Sequence, residues 1–111
     1  MSIRPTVAWA MLAAVASLAV LTGCSSNDSK IYEVFKCGKA AFMLGHRAEA
    51  NVAGQKGNPY LAKIDGSKAQ YMMLMGQKFS DEFDLERRDP QEQLSLMADL
   101  YKSSACQTLY R

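Results

Sequence analysis

Residues 30–53, KIYEVFKCGKAAFMLGHRAEANVA, decide the fold class of this chain. Their apolar side chains recur every three or four positions, which is the period of an α-helix and not the alternation of a strand. We predict one helix over this stretch, with Ser29 as its N-cap and with Gly54 and Gly57 at its end. Small residues that would let a neighbouring helix approach closely share one face: Gly38, Ala41, Gly45 and Ala48.

The next stretch also has a helical pattern. Asn58 and Pro59 provide a cap and a first-turn proline for a second helix, which we expect to run to about Asp84. Gly66 lies inside this run and leaves two alternatives open, either one long helix or a short helix followed by a longer one.

The strongest local signal is the start of the last helix. Asp89 is a suitable cap, Pro90 takes the first helical position, and Glu92 stands where a capping box requires a carboxylate. Cys106 falls away from the centre of the apolar stripe that follows, so either the helix ends before it or the cysteine docks on the flank. No strand alternation and no internal repeat occurs, and we therefore predict an all-α fold, a small three- to four-helix bundle.

The N-terminus has the organisation of an export signal. Arg4 precedes an apolar run over residues 7–21, which is too short for a membrane span of ~20 residues but matches a signal-peptide core of roughly 7–15 residues. Small residues follow, and the polar residues 25–29 come directly after Cys24. A buried helix or an uncleaved anchor is the alternative interpretation.

Leu21-Thr22-Gly23-Cys24 resembles the lipobox of bacterial lipoproteins. The resemblance covers only the first 25 or so residues. It implies that Cys24 receives a diacylglyceryl group on its sulfur, that the chain is cut before Cys24, and that the new amino group is acylated. Two or three acyl chains on one residue would hold a protein stably at a bilayer, whereas one chain binds only marginally.

The resemblance implies a cleaved signal peptide over residues 1–23 and lipidation of Cys24. Together with the polar run and the helical pattern that follow, it leads us to predict a lipidated anchor with a short tether over residues 24–29 and a helical domain over residues 30–111. By the same resemblance, Ser25 favours passage to the outer membrane. We expect a lipid-anchored protein that faces the periplasm, with exposure at the cell surface as the alternative.

Composition excludes some partners. Since Arg4 is one of 13 Lys and Arg residues, the mature chain carries 12 of them against 11 Asp and Glu, a net charge of +1. No basic block and no mixture of basic and aromatic residues occurs, so we expect no nucleic-acid partner.

Two cysteines remain beside the lipidated one. An exported chain meets an oxidising compartment, so Cys37 and Cys106 are expected to form a disulfide that closes nearly the whole domain. Two free thiols or a redox pair are the alternatives, although the Cys-x-x-Cys spacing of redox pairs is missing.

The sequence contains no catalytic motif. His46 and Glu49 can share a helix face, but no third ligand, nucleophile or orienting partner accompanies them. The acidic residues between Asp81 and Asp89 lack the central glycine and the oxygen spacing of a calcium loop. We therefore expect no enzyme activity, no metal site and no cofactor.

A methionine-rich stretch is the best candidate for binding a partner. Met side chains repack around varied surfaces, so the stretch is either a helix buried on several sides or one wall of an adaptable groove. The candidate residues are Tyr71, Met72, Met73 and Met75.

Three functions are consistent with these features. The first is a non-enzymatic module that binds or braces an envelope protein, such as a secretion- or conjugation-type complex, by helix- or strand-in-groove recognition. The second is a surface or exclusion factor that blocks entry of DNA, phage or a hostile enzyme. The third is an envelope hydrolase, which would require His46 or a pair of carboxylates.

Overall fold

The computed structural model describes residues 26–111, and the signal peptide and Cys24 lie outside these residues. The described part contains five α-helices and no strand, which confirms the all-α prediction and exceeds the expected three to four helices. The helices are α1 (Asn27–Met43), α2 (Arg47–Leu61), α3 (Lys68–Phe83), α4 (Pro90–Lys102) and α5 (Ser104–Tyr110), with a 3₁₀ turn at Leu85–Arg87 between α3 and α4.

Helix α1 starts earlier than predicted. Ser26 is its N-cap, and the Ser26 Oγ accepts a hydrogen bond of 3.1 Å from the backbone N–H of Ser29. The prediction of Ser29 as the cap is therefore wrong. Ser26 lies three residues before Ser29, and its hydroxyl oxygen accepts a hydrogen bond from a free backbone N–H of the first turn. Asp28 then lies in the first turn, where the helix dipole favours a carboxylate.

The predicted single helix over residues 30–53 is also wrong, because α1 ends in a Schellman turn. Gly45 has φ +83°, a left-handed conformation that glycine adopts without a steric penalty. The Gly45 N–H donates to the Phe42 carbonyl and the His46 N–H donates to the Ala41 carbonyl, which is the hydrogen-bond pattern of this motif. The chain reverses here and starts α2.

Gly54 and Gly57 do not end a helix as predicted, and both lie within α2. Pro59 also lies inside α2 and does not start a new helix. A proline at this position removes only the bond to the Gln55 carbonyl, and Gln55 is exposed to solvent. Packing of α2 against α1 outweighs the low helix propensity of these residues.

Gly66 lies between two helices, so the alternative of one long helix is wrong. The other alternative is only partly correct, because a separate helix follows Gly66 but residues 58–61 before it are the end of α2 and not a short helix of their own. The φ of +83° at Gly66 places it in the turn between α2 and α3. Ser67 follows as the N-cap of α3, and its Oγ accepts a bond of 3.2 Å from the Gln70 N–H. Helix α3 ends at Phe83, before Asp84 in a left-handed conformation with φ 52°.

The predicted start of the last long helix is confirmed. Asp89 caps α4 by accepting a bond of 2.8 Å from the Glu92 N–H, and Pro90 occupies the first turn. The Glu92 carboxylate lies 3.6 Å from Arg88 Nη1. Helix α4 ends at Lys102, before Ser103 caps the separate helix α5 that carries Cys106.

The core lies between α1, α3 and α4. Its buried centre consists of Tyr32, Ala40, Phe79 and Met97. The predicted disulfide is present, since Cys37 on α1 and Cys106 on α5 are bonded and both are buried. Tyr110 reinforces this junction, because its hydroxyl donates a bond of 2.6 Å to the Cys37 carbonyl.

Helices α1 and α2 form an antiparallel hairpin with a close contact between small residues. A Cβ built on Gly38 would lie 3.4 Å from the Ala53 Cβ, and one built on Gly57 would lie 2.9 Å from Val34 Cγ1. Of the predicted strip of small residues, Gly38 and the buried Ala41 lie along α1, whereas Gly45 forms the turn and Ala48 is exposed on α2.

Candidate partner-binding groove

A groove runs along the α1–α2 hairpin and has a volume of about 460 Å³. Helix α3 contributes one residue to it, Met72. The lining is mostly apolar, with glycines between larger side chains: Ile31, Val34, Phe35, Gly38, Lys39, Phe42, Ala50, Asn51, Gly54, Gly57, Asn58, Leu61 and Met72. Pockets that receive ligand groups have volumes of roughly 300–1,000 Å³ and a similar apolar lining.

The groove exists because glycines replace side chains on the α2 wall. A Cβ on Gly54 would have no neighbour within 4 Å, so this position opens directly into the groove. Gly57 differs, since it meets Val34 of α1 and brings the two helices together. One glycine thus makes space and the other makes contact.

A large aromatic residue lines the groove near the hairpin turn. The Phe42 side chain is 61% exposed, although it belongs to the helix that supplies most of the core. Lys39 lies one turn before it, with Nζ 5.9 Å from the centre of the Phe42 ring. No carboxylate lines the groove, so Lys39 makes it weakly positive at this end.

The methionine-rich residues occupy three different environments. Met72 is 36% exposed and lines the groove, Met73 is 75% exposed and lies outside it, and Met75 packs against the core. Of the four residues predicted to bind a partner, the groove therefore includes Met72 alone.

Tyr71, the fourth of these residues, links α3 to the start of α1. Its hydroxyl donates a bond of 2.6 Å to Asp28 Oδ1. Partial burial, together with this bond and the negative charge of Asp28, raises the pKa of Tyr71 to about 12. The bond holds the first turns of α3 beside the N-terminus of α1.

Sequence reasoning missed Phe42 and both α2 glycines as groove residues. The signal that could have found them was the spacing of Gly54 and Gly57, which are three residues apart and share one helix face. Because these glycines were predicted to end a helix, the groove surface that they form together with Gly38 was not predicted.

A second hollow, of about 440 Å³, lies beside Tyr32 and is polar. The Nζ atoms of Lys78 and Lys36 lie 4.1 Å and 4.9 Å from the centre of the Tyr32 ring. The Tyr32 hydroxyl donates a bond of 3.2 Å to Glu82, whose carboxylate also lies 3.6 Å from Lys36. Burial and the Glu82 charge raise the pKa of Tyr32 to about 12. Glu82 is therefore paired with Lys36, whereas Lys78 contacts the face of the Tyr32 ring.

His46 and Glu49 meet at an aromatic cluster. The His46 ring stacks on Tyr101 with a centroid distance of 4.5 Å, and the Tyr101 hydroxyl donates a bond of 3.4 Å to Glu49. Tyr110 lies on the same cluster, 5.2 Å from Tyr101, and burial is the main cause that raises its pKa to about 12. Neither His46 nor Glu49 lines either of the two hollows described above.

The acidic residues near the end of α3 contact neighbouring polar side chains. Asp81 accepts a bond of 3.0 Å from Gln77, and Asp84 lies 3.6 Å from Arg87. Within residues 26–111, no group of three or more His, Cys, Asp or Glu side chains is arranged to hold a metal ion.

Comparisons of the chain with protein-family models, curated protein sequences and solved structures found no match. Over the part of the chain that the structure describes, no helix has both the length and the apolar character needed to cross a membrane.

Proposed function

We propose that this protein is a lipid-anchored interaction module of the bacterial outer membrane, which binds or braces an envelope protein by receiving one of its helices in the α1–α2 groove. The observation that supports this proposal is the groove itself, an apolar concavity with a glycine at its open wall and Phe42 exposed near the hairpin turn. Apolar surface that folding leaves exposed and concave is typical of binding sites.

The lining indicates the chemistry of the partner. Gly54 provides no side-chain bulk and faces open space, so a helix of small and aliphatic residues can approach the backbone closely there. Such a helix would place residues i, i+3, i+4 and i+7 into the groove, which is the usual pattern of helix-in-groove recognition. Because Lys39 is the lining cation, we expect an acidic partner residue near the Phe42 end.

Site-specific photo-crosslinking tests the proposal in intact bacteria. A photoreactive amino acid that replaces Met72 would lie in the groove lining. The same amino acid in place of Gln77, which is exposed on the same helix, would lie outside the groove. We expect position 72 to trap one envelope protein and position 77 to trap none. Crosslinks to the same protein with equal yield at both positions, or only to a second copy, would overturn the proposal.

A pair of leucine substitutions provides a matched control. In Gly54→Leu the new side chain extends into the groove, and its Cβ has no neighbouring atom within 4 Å. Leucine also has a higher helix propensity than glycine, so the substitution should not destabilise α2. Gln55→Leu adds an equal apolar side chain at the next, exposed position, which does not line the groove. We expect the first substitution to abolish the crosslink from position 72 and the second to preserve it.

The anchor is tested in the same cells. Cys24→Ser removes the residue that is expected to carry the lipid, so the chain should leave the membrane fraction and lose the crosslink. Incorporation of radioactive palmitate into the wild-type chain, and not into Cys24→Ser, is the direct measurement of lipidation. If the wild-type protein incorporated no palmitate, the lipid anchor would be ruled out. The groove proposal would then depend on the crosslinking result alone.

A further inference from the structure

One stretch of α3, residues 71–75, is apolar on every side. Residues 71–75 have the sequence YMMLM, and successive residues of a helix point about 100° apart, so this run surrounds the helix axis. Only one side of it packs, through Met75 on the core and Met72 on the groove. Met73 and Leu74 are 75% and 66% exposed, and we name these two residues the anchor-end patch.

A helix that is apolar all round is normally buried all round. The two side chains of the anchor-end patch are adjacent in sequence and lie on different flanks of α3. Their exposure shows that contacts within residues 26–111 leave both largely uncovered. The neighbouring Tyr71 is tied to Asp28, which fixes the orientation of these turns relative to α1.

The position of the patch relative to Cys24 identifies what covers it. The Tyr71 hydroxyl and Asp28 Oδ1 are 2.6 Å apart, so the patch lies at the N-terminal end of α1. Cys24 precedes Asp28 by four residues, and a chain spans at most ~3.6 Å per residue, so the Cys24 Cα lies within about 14 Å of Asp28. An acylated Cys24 therefore holds this end of the domain at the bilayer surface.

We propose that the anchor-end patch inserts into the lipid surface to which Cys24 is anchored and thereby fixes the orientation of the domain on the membrane. This inference rests on the lipid anchor of the proposed function, but not on the groove or on any protein partner. The anchor keeps the bilayer at a high effective concentration beside the patch, which favours lipid over an occupant that arrives by diffusion.

Charges at this end are compatible with a lipid surface. Lys30 and Lys68 are exposed on α1 and α3, and the Lys63 ammonium lies 5.8 Å from the centre of the Tyr60 ring, near the end of α2. Asn27 donates a bond of 3.1 Å to the Tyr60 carbonyl, which places this region beside the start of α1. The acidic groups here are Asp28, which is bonded to Tyr71, and the exposed Glu33 and Asp65.

This geometry also orients the groove. Met72 lines the groove and adjoins the patch in sequence, whereas Phe42 lies near the opposite end of α1. A domain seated on the patch would hold the groove with its Met72 end near the lipid and its Phe42 end away from it. A partner helix would then enter the groove from a defined direction.

Fluorescence in partner-free vesicles tests the inference. The full-length chain is produced in bacteria so that it is processed and lipidated, and it is then purified into vesicles of phosphatidylethanolamine and phosphatidylglycerol. Single variants Met73→Cys and Leu74→Cys carry nitrobenzoxadiazole, a dye that brightens and shifts to the blue in lipid. Ala48→Cys, exposed near the start of α2 at the opposite end of α1, carries the same dye as the control.

We expect a blue shift and at least a fivefold loss of quenching by an aqueous quencher at positions 73 and 74, and neither change at position 48. Labelling is confined to the new thiol, since Cys37 and Cys106 are bonded and the sulfur of a lipidated Cys24 would carry the diacylglyceryl group. Equal quenching at all three positions would overturn the inference. Shielding that disappears when the protein is diluted at constant lipid would also overturn it, because a second copy then covers the patch.

The outcomes separate this inference from the proposed function. Full quenching at positions 73 and 74, together with a crosslink from position 72 in cells, would remove the membrane contact and keep the groove. Shielding in vesicles without a crosslink in cells would do the reverse. A purified chain whose mass shows no lipid on Cys24 would overturn both the anchor and the membrane contact.

Discussion

The α1–α2 hairpin and helix α3 use apolar residues in opposite ways. In the hairpin, three alanines are fully covered, since Ala40, Ala41 and Ala53 are 0% exposed. Helix α3 has one buried residue, Phe79, and leaves Met73 and Leu74 in solvent. The hairpin buries these alanines and leaves a groove open on its other face, whereas α3 leaves two large apolar side chains in solvent. We therefore expect the free energy of unfolding to depend on the packed face of the hairpin and on its disulfide, a partner helix to bind the hairpin groove, and the exposed side of α3 to contact lipid.

The first prediction concerns the covalent bond that ties the hairpin to the C-terminus. The double substitution Cys37→Ala/Cys106→Ala should lower the free energy of unfolding by about 4 kcal/mol, because the bond closes a loop with a sequence separation of 69 residues. Urea denaturation of the two proteins measures this difference. A loss below about 1 kcal/mol would show that noncovalent contacts alone hold α5 on the hairpin.

The second prediction tests the one buried contact of α3. Phe79→Ala should cost about 3 kcal/mol, the lower part of the range for a buried phenylalanine, because Phe35 and Phe83 are half-buried and can move into the space. Met73→Ala, on the exposed side of the same helix, should change stability by less than ~0.5 kcal/mol.

Urea denaturation gives both values, and hydrogen exchange of the α3 amides shows whether the helix opens locally. A cost at Met73 similar to that at Phe79 would contradict the comparison, since α3 would then be packed on both sides.

The sequence predicted the parts of the fold that depend on local signals. The cap at Asp89 with Pro90 beside it is present, because one side-chain acceptor meets the Glu92 N–H regardless of the rest of the fold. The pairing of Cys37 with Cys106 was also predictable, since the expected export and the expected lipidation of Cys24 left two cysteines with one intramolecular pairing.

Glycine roles were not predictable from local propensity. Gly45 and Gly57 look alike in the sequence, but one adopts φ +83° and ends α1, whereas the other stays helical against Val34. The difference is set by the tertiary contact between the two helices, which overrides propensities worth about 1 kcal/mol. The groove was missed for the same reason, because Gly54 and Gly57 in its α2 wall were predicted to end a helix.

The third prediction compares the two α2 glycines directly. Gly57→Ala should lower the free energy of unfolding by about 1 kcal/mol, because the new Cβ would lie 2.9 Å from Val34 Cγ1 and the strain exceeds the gain in helix propensity. Gly54→Ala should raise it by about 0.5–1 kcal/mol, since its Cβ would meet no atom within 4 Å. Thermal and urea unfolding of both variants measure the difference, and equal effects would show that α1 and α2 are not in close contact at Gly57.

The last prediction has the smallest expected effect and concerns the hydrogen bond between Tyr71 of α3 and Asp28 of α1. The pKa of Tyr71 is raised from 10.0 to about 12 by partial burial and by its bond to Asp28, so the folded state keeps a proton that the unfolded state releases at lower pH. The stability from this group is therefore complete below pH 10 and is lost as the pH rises through about 12.

Tyr71→Phe removes the hydroxyl and should abolish this part of the dependence of the unfolding free energy on alkaline pH. Tyr32 and Tyr110, whose pKa values are also about 12, retain their own contributions in both proteins. Urea denaturation from about pH 8 upward should give a difference between wild type and Tyr71→Phe that is constant at first and shrinks above pH 10. A difference that stays constant to pH 12 would mean that Tyr71 does not hold α3 against Asp28 in solution, and the anchor-end patch would then lack its fixed position beside Cys24.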